Sequence, residues 1–316
     1  MWAINRRQIK RNVVTGITLV LFPILRMRVV NLFARMVLKP LLPILPGAFS
    51  AKFPVVGEVR VQTTGSKVLR FATNGRDSIA SRLYWSGLKG HESETMSLFP
   101  QLASQAKVFF DVGASTGVYS LIAAAHNPES QVHAFEAVPE IFHFLVHNTK
   151  LNGFSNLHPV LGCVTDYNGD ATLYLNQTPA LPFSTSHLKG YKASTESVVT
   201  PAFKLDEYVT RNDIQTVDLI KLDTEATEDA VLKGASDILN RFKPIIICEV
   251  LHRWPAEQAL DGILESLEYK YFLITDDGLV PKSEIKGDPD YVFRNFLFVP
   301  ESKVSTALEG LAVAAE

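Results

Sequence analysis

A short apolar run at residues 107–110, Lys-Val-Phe-Phe, leads into Asp111 and the loop Asp-Val-Gly-Ala-Ser-Thr-Gly, and a second run at 131–135, Gln-Val-His-Ala-Phe, ends at Glu136. Strand, glycine loop, helix, strand and acid in this order leave few folds open. Gly113 and Gly117 let the backbone turn sharply and approach a ligand closely, while an acid beyond the second strand can accept hydrogen bonds from ribose hydroxyls. Further apolar runs at 157–161, 219–222, 245–249 and 271–274 read as buried strands, and helices starting at Val118, Pro139, Glu228 and Pro255 separate many of them. The pattern predicts an α/β fold: a mostly parallel, doubly wound sheet with helices on both faces. Asp111, Glu136, Asp166, Asp223, Glu225 and Glu249 fall at or just past strand ends, the edge where such sheets bind ligands.

The loop chemistry narrows the ligand. A dinucleotide site uses Gly-x-Gly-x-x-Gly so that helix amides cradle a pyrophosphate, whereas this loop opens with Asp111, which would repel one. An acid there suits a cationic, amine-bearing ligand, which points to S-adenosylmethionine rather than NAD. An NAD-dependent oxidoreductase is the competing enzyme reading, and plain tight turns at Gly113 and Gly117 the bland one. The residues expected around the cofactor are Asp111, Gly113, Ala114, Ser115, Gly117 and Glu136, with Ala137, Asp166 and Asp223 beside them.

Further along stand Val-Asp-Leu-Ile-Lys-Leu-Asp-Thr-Glu-Ala from Val217 and Lys-Pro-Ile-Ile-Ile-Cys-Glu-Val from Lys243. With Asp111 to Ala114, Phe135-Glu136 and the Asn148 to Gly153 segment, these elements come in an order and spacing that resembles the FkbM-type S-adenosylmethionine-dependent methyltransferases. The resemblance spans residues 90–300. It implies a class I (Rossmann-like) methyltransferase fold with a terminal antiparallel strand near 296–299, and methyl transfer to a hydroxyl of a saccharide, lipid-linked or small-molecule acceptor. Three positions depart from the family pattern: Ala137 in place of proline, Ser115-Thr116 in place of Asn-Ile or similar, and Ala226 in place of glycine.

Methyl transfer to oxygen needs alignment of donor, carbon and acceptor, and a base for the hydroxyl proton. Asp223, after the central strand, and His252, which titrates near neutrality by type, are the catalytic candidates. Asp223 could instead serve the helix that starts near Thr227, and His252 could be a packing residue. Lys221, inside an apolar strand, reads as a structural ion-pair partner of Glu249 or Glu225 or as a substrate contact. Ser184-Thr185-Ser186-His187 reads as a solvated loop or an acceptor wall, and Tyr84-Trp85 as sugar-stacking or packing residues. A catalytically silent scaffold with the same fold is the reading from outside enzymes.

Composition bears on what surrounds this domain. With 316 residues, 47% hydrophobic and 20% charged, the chain can bury a sizeable core and forms one large domain with an extension. Cys163 and Cys248, both in strand-like runs, read as buried thiols in a reducing compartment, and no Cys/His spacing fits zinc. Neither a metal nor a nucleic-acid partner is expected, and the expected location is cytoplasmic. Nine of the 31 bases and none of the 33 acids precede Glu58, so a basic arm, residues 1–52, leads an acidic body, residues 53–316. The uncharged run at 13–25 is shorter than the roughly 20 residues of a spanning helix. The arm is expected to lie on an anionic membrane surface or reach for a lipid-linked substrate, the alternative being a helix docked on the body or on a partner subunit. Pro40, Pro43, Pro46 and Gly47 mark its stop and linker. Beyond it, strands at 55–61 and 68–72 joined near Thr64-Gly65, a helix over 81–102 and a short helical tail after Ser302 complete the expectation.

Overall fold

The apolar runs pair into one large sheet. The computed structural model describes residues 23–44 (side chains to 41), 53–63, 67–175 and 196–314. Most of the uncharged run, Pro46-Gly47, Thr64-Gly65 and Ser184 to His187 lie outside the described residues. The strands are β1 (Val56–Gln62), β2 (Val68–Asn74), β3 (Val108–Val112), β4 (Gln131–Glu136), β5 (Leu157–Leu161), β6 (Cys163–Val164), β7 (Gly169–Leu175), β8 (Glu196–Phe203), β9 (Leu219–Leu222), β10 (Ile245–Glu249), β11 (Tyr269–Thr275), β12 (Gly278–Lys282) and β13 (Asn295–Pro300). The main sheet has the order β12-β11-β13-β10-β9-β3-β4-β5.

Strands β5, β4, β3, β9 and β10 run parallel, and β13 lies antiparallel between β10 and β11. This is the class I methyltransferase sheet, including its reversed strand. That strand is internal to the sheet, and the edge beyond it is the β11–β12 hairpin. Burial on both faces explains why β3, β9 and β13 are apolar without alternation. Within β3, Phe109 faces a core shared with the helices Ser93–Gln105 and Val118–His126. Val108, Phe110 and Val112 face a second core shared with Leu205–Arg211, Glu228–Lys233 and Pro255–Glu265. The helices predicted from Val118, Pro139, Glu228 and Pro255 start at those residues, two of them with proline in the first turn. A separate three-stranded sheet, β6-β8-β7, covers Val138 and Ile141.

The helix expected over 81–102 is two helices. Asp77 caps the first, Ser78–Ser86, by accepting from the Ala80 amide at 3.0 Å. It ends at Gly87, in the left-handed region at φ 62°, and a 3₁₀ turn follows. A Cβ on Gly90 would stand 2.5 Å from the Arg82 carbonyl oxygen, so the chain doubles back where only glycine fits. Ser93–Gln105 then begins after Glu92, itself at φ 42°. This break sends His91 and Glu92 inward.

The β1–β2 hairpin is fastened by the Asn148 to Gly153 motif. Asn148 accepts from the Ala72 amide at 2.8 Å and donates to the Thr116 carbonyl at 2.8 Å; Asn152 exchanges two bonds with the Arg70 backbone. The arm helix, Arg28–Leu38, is docked as the alternative reading expected. Fully buried Asn31 donates to the Leu25 and Pro54 carbonyls and accepts from the Val56 amide. Arg35 and Lys39 lie over the Tyr84 ring, and Trp85 donates to the Phe53 carbonyl, so this aromatic pair packs the arm and the β1 entry. The tail contains the short helix Val304–Ala307, and Val313 bridges to Leu279.

Candidate functional site

Strand order reverses at β3, which lies between β4 and β9, and the crevice at its carboxyl end is the place such sheets bind ligands. The loop leaving β3 is held on both sides. The amides of Gly113 and Ala114 donate to the Phe135 carbonyl at 3.0 and 2.9 Å, and the Asp223 amide donates to Val112. Gly113 sits at φ 82°, and a Cβ there would come within 1.9 Å of the Asp223 carbonyl oxygen, so β3 and β9 converge at a point with no room for a side chain. A Cβ on Gly117, at φ 95°, would stand 2.7 Å from Leu145 Cδ1, and this glycine opens the helix Val118–His126.

Two buried acids flank this loop. Glu136, at the end of β4, accepts from the Ser115 amide at 2.9 Å and the Val138 amide at 2.8 Å, which fixes its carboxylate against the loop. Burial raises its pKa to about 7, against the pull of those amides. Asp111 accepts from the amide and hydroxyl of Ser120, and burial raises it to about 6. Ser115 is strained at φ 51°, the orientation that turns its amide to Glu136.

A cavity of about 40 Å³ opens between Ile79, His91, Asp111, Gly113, Ala114, Ser115, Val118, Tyr119, Lys221 and Asp223. Lys221 is buried, its ammonium 3.6 Å from Asp223 and over the Tyr119 ring at 5.1 Å. Burial alone would lower its pKa, but Asp223, Glu92, Glu249 and Asp111 outweigh that and hold it above the ordinary lysine value. Its ion pair is with Asp223 rather than Glu249. Glu249 instead meets Arg294 at 2.8 Å. Glu92 accepts from the Tyr119 hydroxyl at 2.5 Å and from Asn295 at 2.9 Å. Burial opposes its ionisation, yet Lys221, His91 and these donors bring its pKa down to about 2.

The structure thus gathers Asp111, Gly113, Ala114, Ser115 and Asp223 on one cavity wall, with Gly117 and Glu136 immediately behind it. Ala137 is half-buried and packs on the three-stranded sheet, and Asp166 is exposed just past β6. His252 does not border the cavity. Its Nδ1 lies 3.2 Å from Glu257, which also accepts from the amides of Arg253 and Gly287. Ala226, where a glycine was noted as usual, adopts φ 75° after Glu225 at φ 57°, two consecutive left-handed residues. His91, Glu92 and Tyr119 were absent from the sequence-derived set. The available signal was the Gly87 and Gly90 pair, which breaks a helical pattern just before a His-Glu dipeptide.

These residues fit a cation carrying a ribose: carboxylates at Asp111 and Asp223 for an ammonium group, Glu136 for hydroxyls, and a glycine corner for close backbone approach. Comparison with known proteins agrees in kind. The family described as Methyltransferase FkbM domain matches residues 111–271. The 31-O-demethyl-FK506 methyltransferase FkbM of Streptomyces tacrolimicus is 29% identical over 161 residues, covering 41% of this chain and 60% of that protein. The hexuronic acid methyltransferase AglP of Haloferax volcanii is 26% identical over 157 residues, covering 49% and 61%. The matched part of the chain thus spans about three fifths of the length of these relatives. A crystal structure of methyltransferase FkbM from Methylobacillus flagellatus KT is 17% identical, with a TM-score of 0.40, covering 61% of this chain and 43% of that one.

Proposed function

The chain belongs to the FkbM methyltransferase family, and we propose that it transfers a methyl group from S-adenosylmethionine to a hydroxyl of a saccharide, lipid-linked or small-molecule acceptor. The observation that carries this reading is the glycine corner at Gly113, closed against Asp223 and backed by Glu136. When bound, the cofactor supplies an electrophilic methyl carbon on a sulfonium. Asp111 and Asp223 would face its charge, Glu136 would accept from its ribose hydroxyls, and Ala114, Ser115 and Gly117 would line its path. Ala137 and Asp166 are assigned to its outer edge. Ligand pockets of nucleoside size take roughly 300 Å³ or more. The cavity at Asp111 is smaller than this and is proposed as the inner end of the site.

An oxygen acceptor is supported by the relatives, which act on 31-O-demethyl-FK506 and on a hexuronic acid. Of the two sequence-derived bases, Asp223 borders the cavity and His252 does not. Peripheral contact with the cytoplasmic face of an anionic membrane is assigned to the arm. It is supported by the outward side of the helix Arg28–Leu38, where Val29, Phe33 and Met36 are 81%, 69% and 67% exposed, and by the absence of acids before Glu58. Among the described residues no helix is long and apolar enough to cross a membrane.

The test is calorimetry with S-adenosylmethionine and with NAD, followed by transfer of labelled methyl into fractionated lipid, polysaccharide, protein and small-molecule pools. Binding of the first ligand alone, with label in a hydroxyl-bearing pool, is the expected result. Binding of NAD instead would make the chain an oxidoreductase. Cofactor binding with no label in any pool would make it a silent scaffold.

A further inference from the structure

His91 is nine-tenths buried and lines the cavity together with Asp111, Lys221 and Asp223. Its Nδ1 has no hydrogen-bond partner, which for a buried polar atom calls for a functional reason. Its Nε2 lies 3.9 Å from Glu92 Oε1, too far for a hydrogen bond but close enough for a strong charge interaction. The chain goes to some length to put it there, through the Gly90 reversal and the left-handed Glu92. Of the sequence-derived bases, Asp223 is paired within the cavity with the Lys221 ammonium at 3.6 Å, and His252 is held by Glu257 outside it.

Resting on the methyltransferase reading, we propose that His91 Nδ1 takes the acceptor's hydroxyl proton. As the acceptor oxygen bonds the methyl carbon, the carbon–sulfur bond breaks with its electron pair going to sulfur, and the hydroxyl proton passes to Nδ1. The imidazolium so formed stands beside the ionised Glu92, which Tyr119 and Asn295 hold in place, and then releases its proton to solvent. The groups facing His91 are Glu92, Arg82, Asp223 and Lys221. Burial, reinforced by Arg82 and Lys221 and opposed by Glu92 and Asp223, keeps the ring below the ordinary histidine value, so it is neutral and able to accept at pH 7.

The experiment uses the full chain and three readouts: labelled-methyl transfer into lipid and polysaccharide fractions, calorimetry with S-adenosylhomocysteine, and proton–nitrogen NMR of the histidine rings. H91Q is expected to lower kcat by about a hundredfold or more while changing S-adenosylhomocysteine affinity by less than about threefold, with H252A near wild type. NMR is expected to show His91 neutral at pH 7.5 with Nδ1 unprotonated. Near-normal kcat in H91Q, a fall in affinity matching the fall in kcat, or a protonated Nδ1 would each overturn the proposal. Should H91Q not fold, H91N replaces it, since its amide occupies the Nδ1 position. If the wild type binds S-adenosylhomocysteine but labels neither fraction, the acceptor reading fails, while the tautomer still decides the state of His91.

Discussion

At the scale of single residues, Gly113 and Glu136 do unlike work. Gly113→Ala forces an L side chain into the left-handed region and drives a methyl group into the Asp223 carbonyl 1.9 Å away. A loss of about 2 to 4 kcal/mol is expected, and a melting temperature within a degree of wild type would contradict it. Glu136→Ala removes charge-assisted hydrogen bonds of about 1.5 to 3 kcal/mol each and should weaken S-adenosylmethionine binding at least tenfold, read by calorimetry on folded protein. Both residues were legible in the sequence because what they do is local: a turn that must reverse and an acid at a strand end. His91 was not legible, because its burial depends on a chain reversal at Gly90 and on Lys221 arriving from a strand some 130 residues away. Lys221 was legible as a residue inside an apolar strand, but its pairing with Asp223 was not. Strand alternation puts Glu249 on a neighbouring strand within reach in principle, but Arg294 occupies it.

At the scale of elements, strand and helix starts followed closely from apolar runs and prolines, since parallel strands buried on both faces leave no ambiguity of phase. The 81–102 helix failed for the opposite reason: periodicity survives across a break that only glycine geometry reveals. The arm helix shows how one element meets two demands. Asn31, Ala34 and Leu38 face the body, while Val29, Phe33 and Met36 face away. Phe33→Asp with Met36→Asp should cut binding to phosphatidylglycerol vesicles at least tenfold without lowering thermal stability, and salt should weaken the wild-type interaction. Equal sedimentation of both proteins with these vesicles would remove the arm as a membrane contact.

At the scale of the whole molecule, buried acids tie stability to pH. Glu136 and Glu228 are raised to about 7 and Asp111 to about 6, each by burial, so between their unfolded values near 4 and these values the folded chain holds protons that the unfolded chain has released. Their contribution is present in full below the unfolded values and is lost as pH rises through about 6 to 7. Glu92, lowered to about 2, acts at the other end, and its contribution disappears as pH falls below about 4. On these groups the melting temperature should peak near pH 4 and decline to about pH 7, with Glu136→Gln flattening the decline. A profile level from pH 4 to 7 in differential scanning calorimetry would contradict these assignments.

The place of β13 constrains how the sheet is assembled. This strand follows β11 and β12 in the chain but lies between β10 and β11, which have no bonds to each other. As the polypeptide emerges from the ribosome, the β11–β12 hairpin is thus made before the strand that attaches it exists. Until β13 slots in, β10 and the hairpin each present an open, apolar edge, the template through which nascent chains pair with one another. Closure of the sheet between β10 and the hairpin therefore waits on the last strand of the sheet to be made.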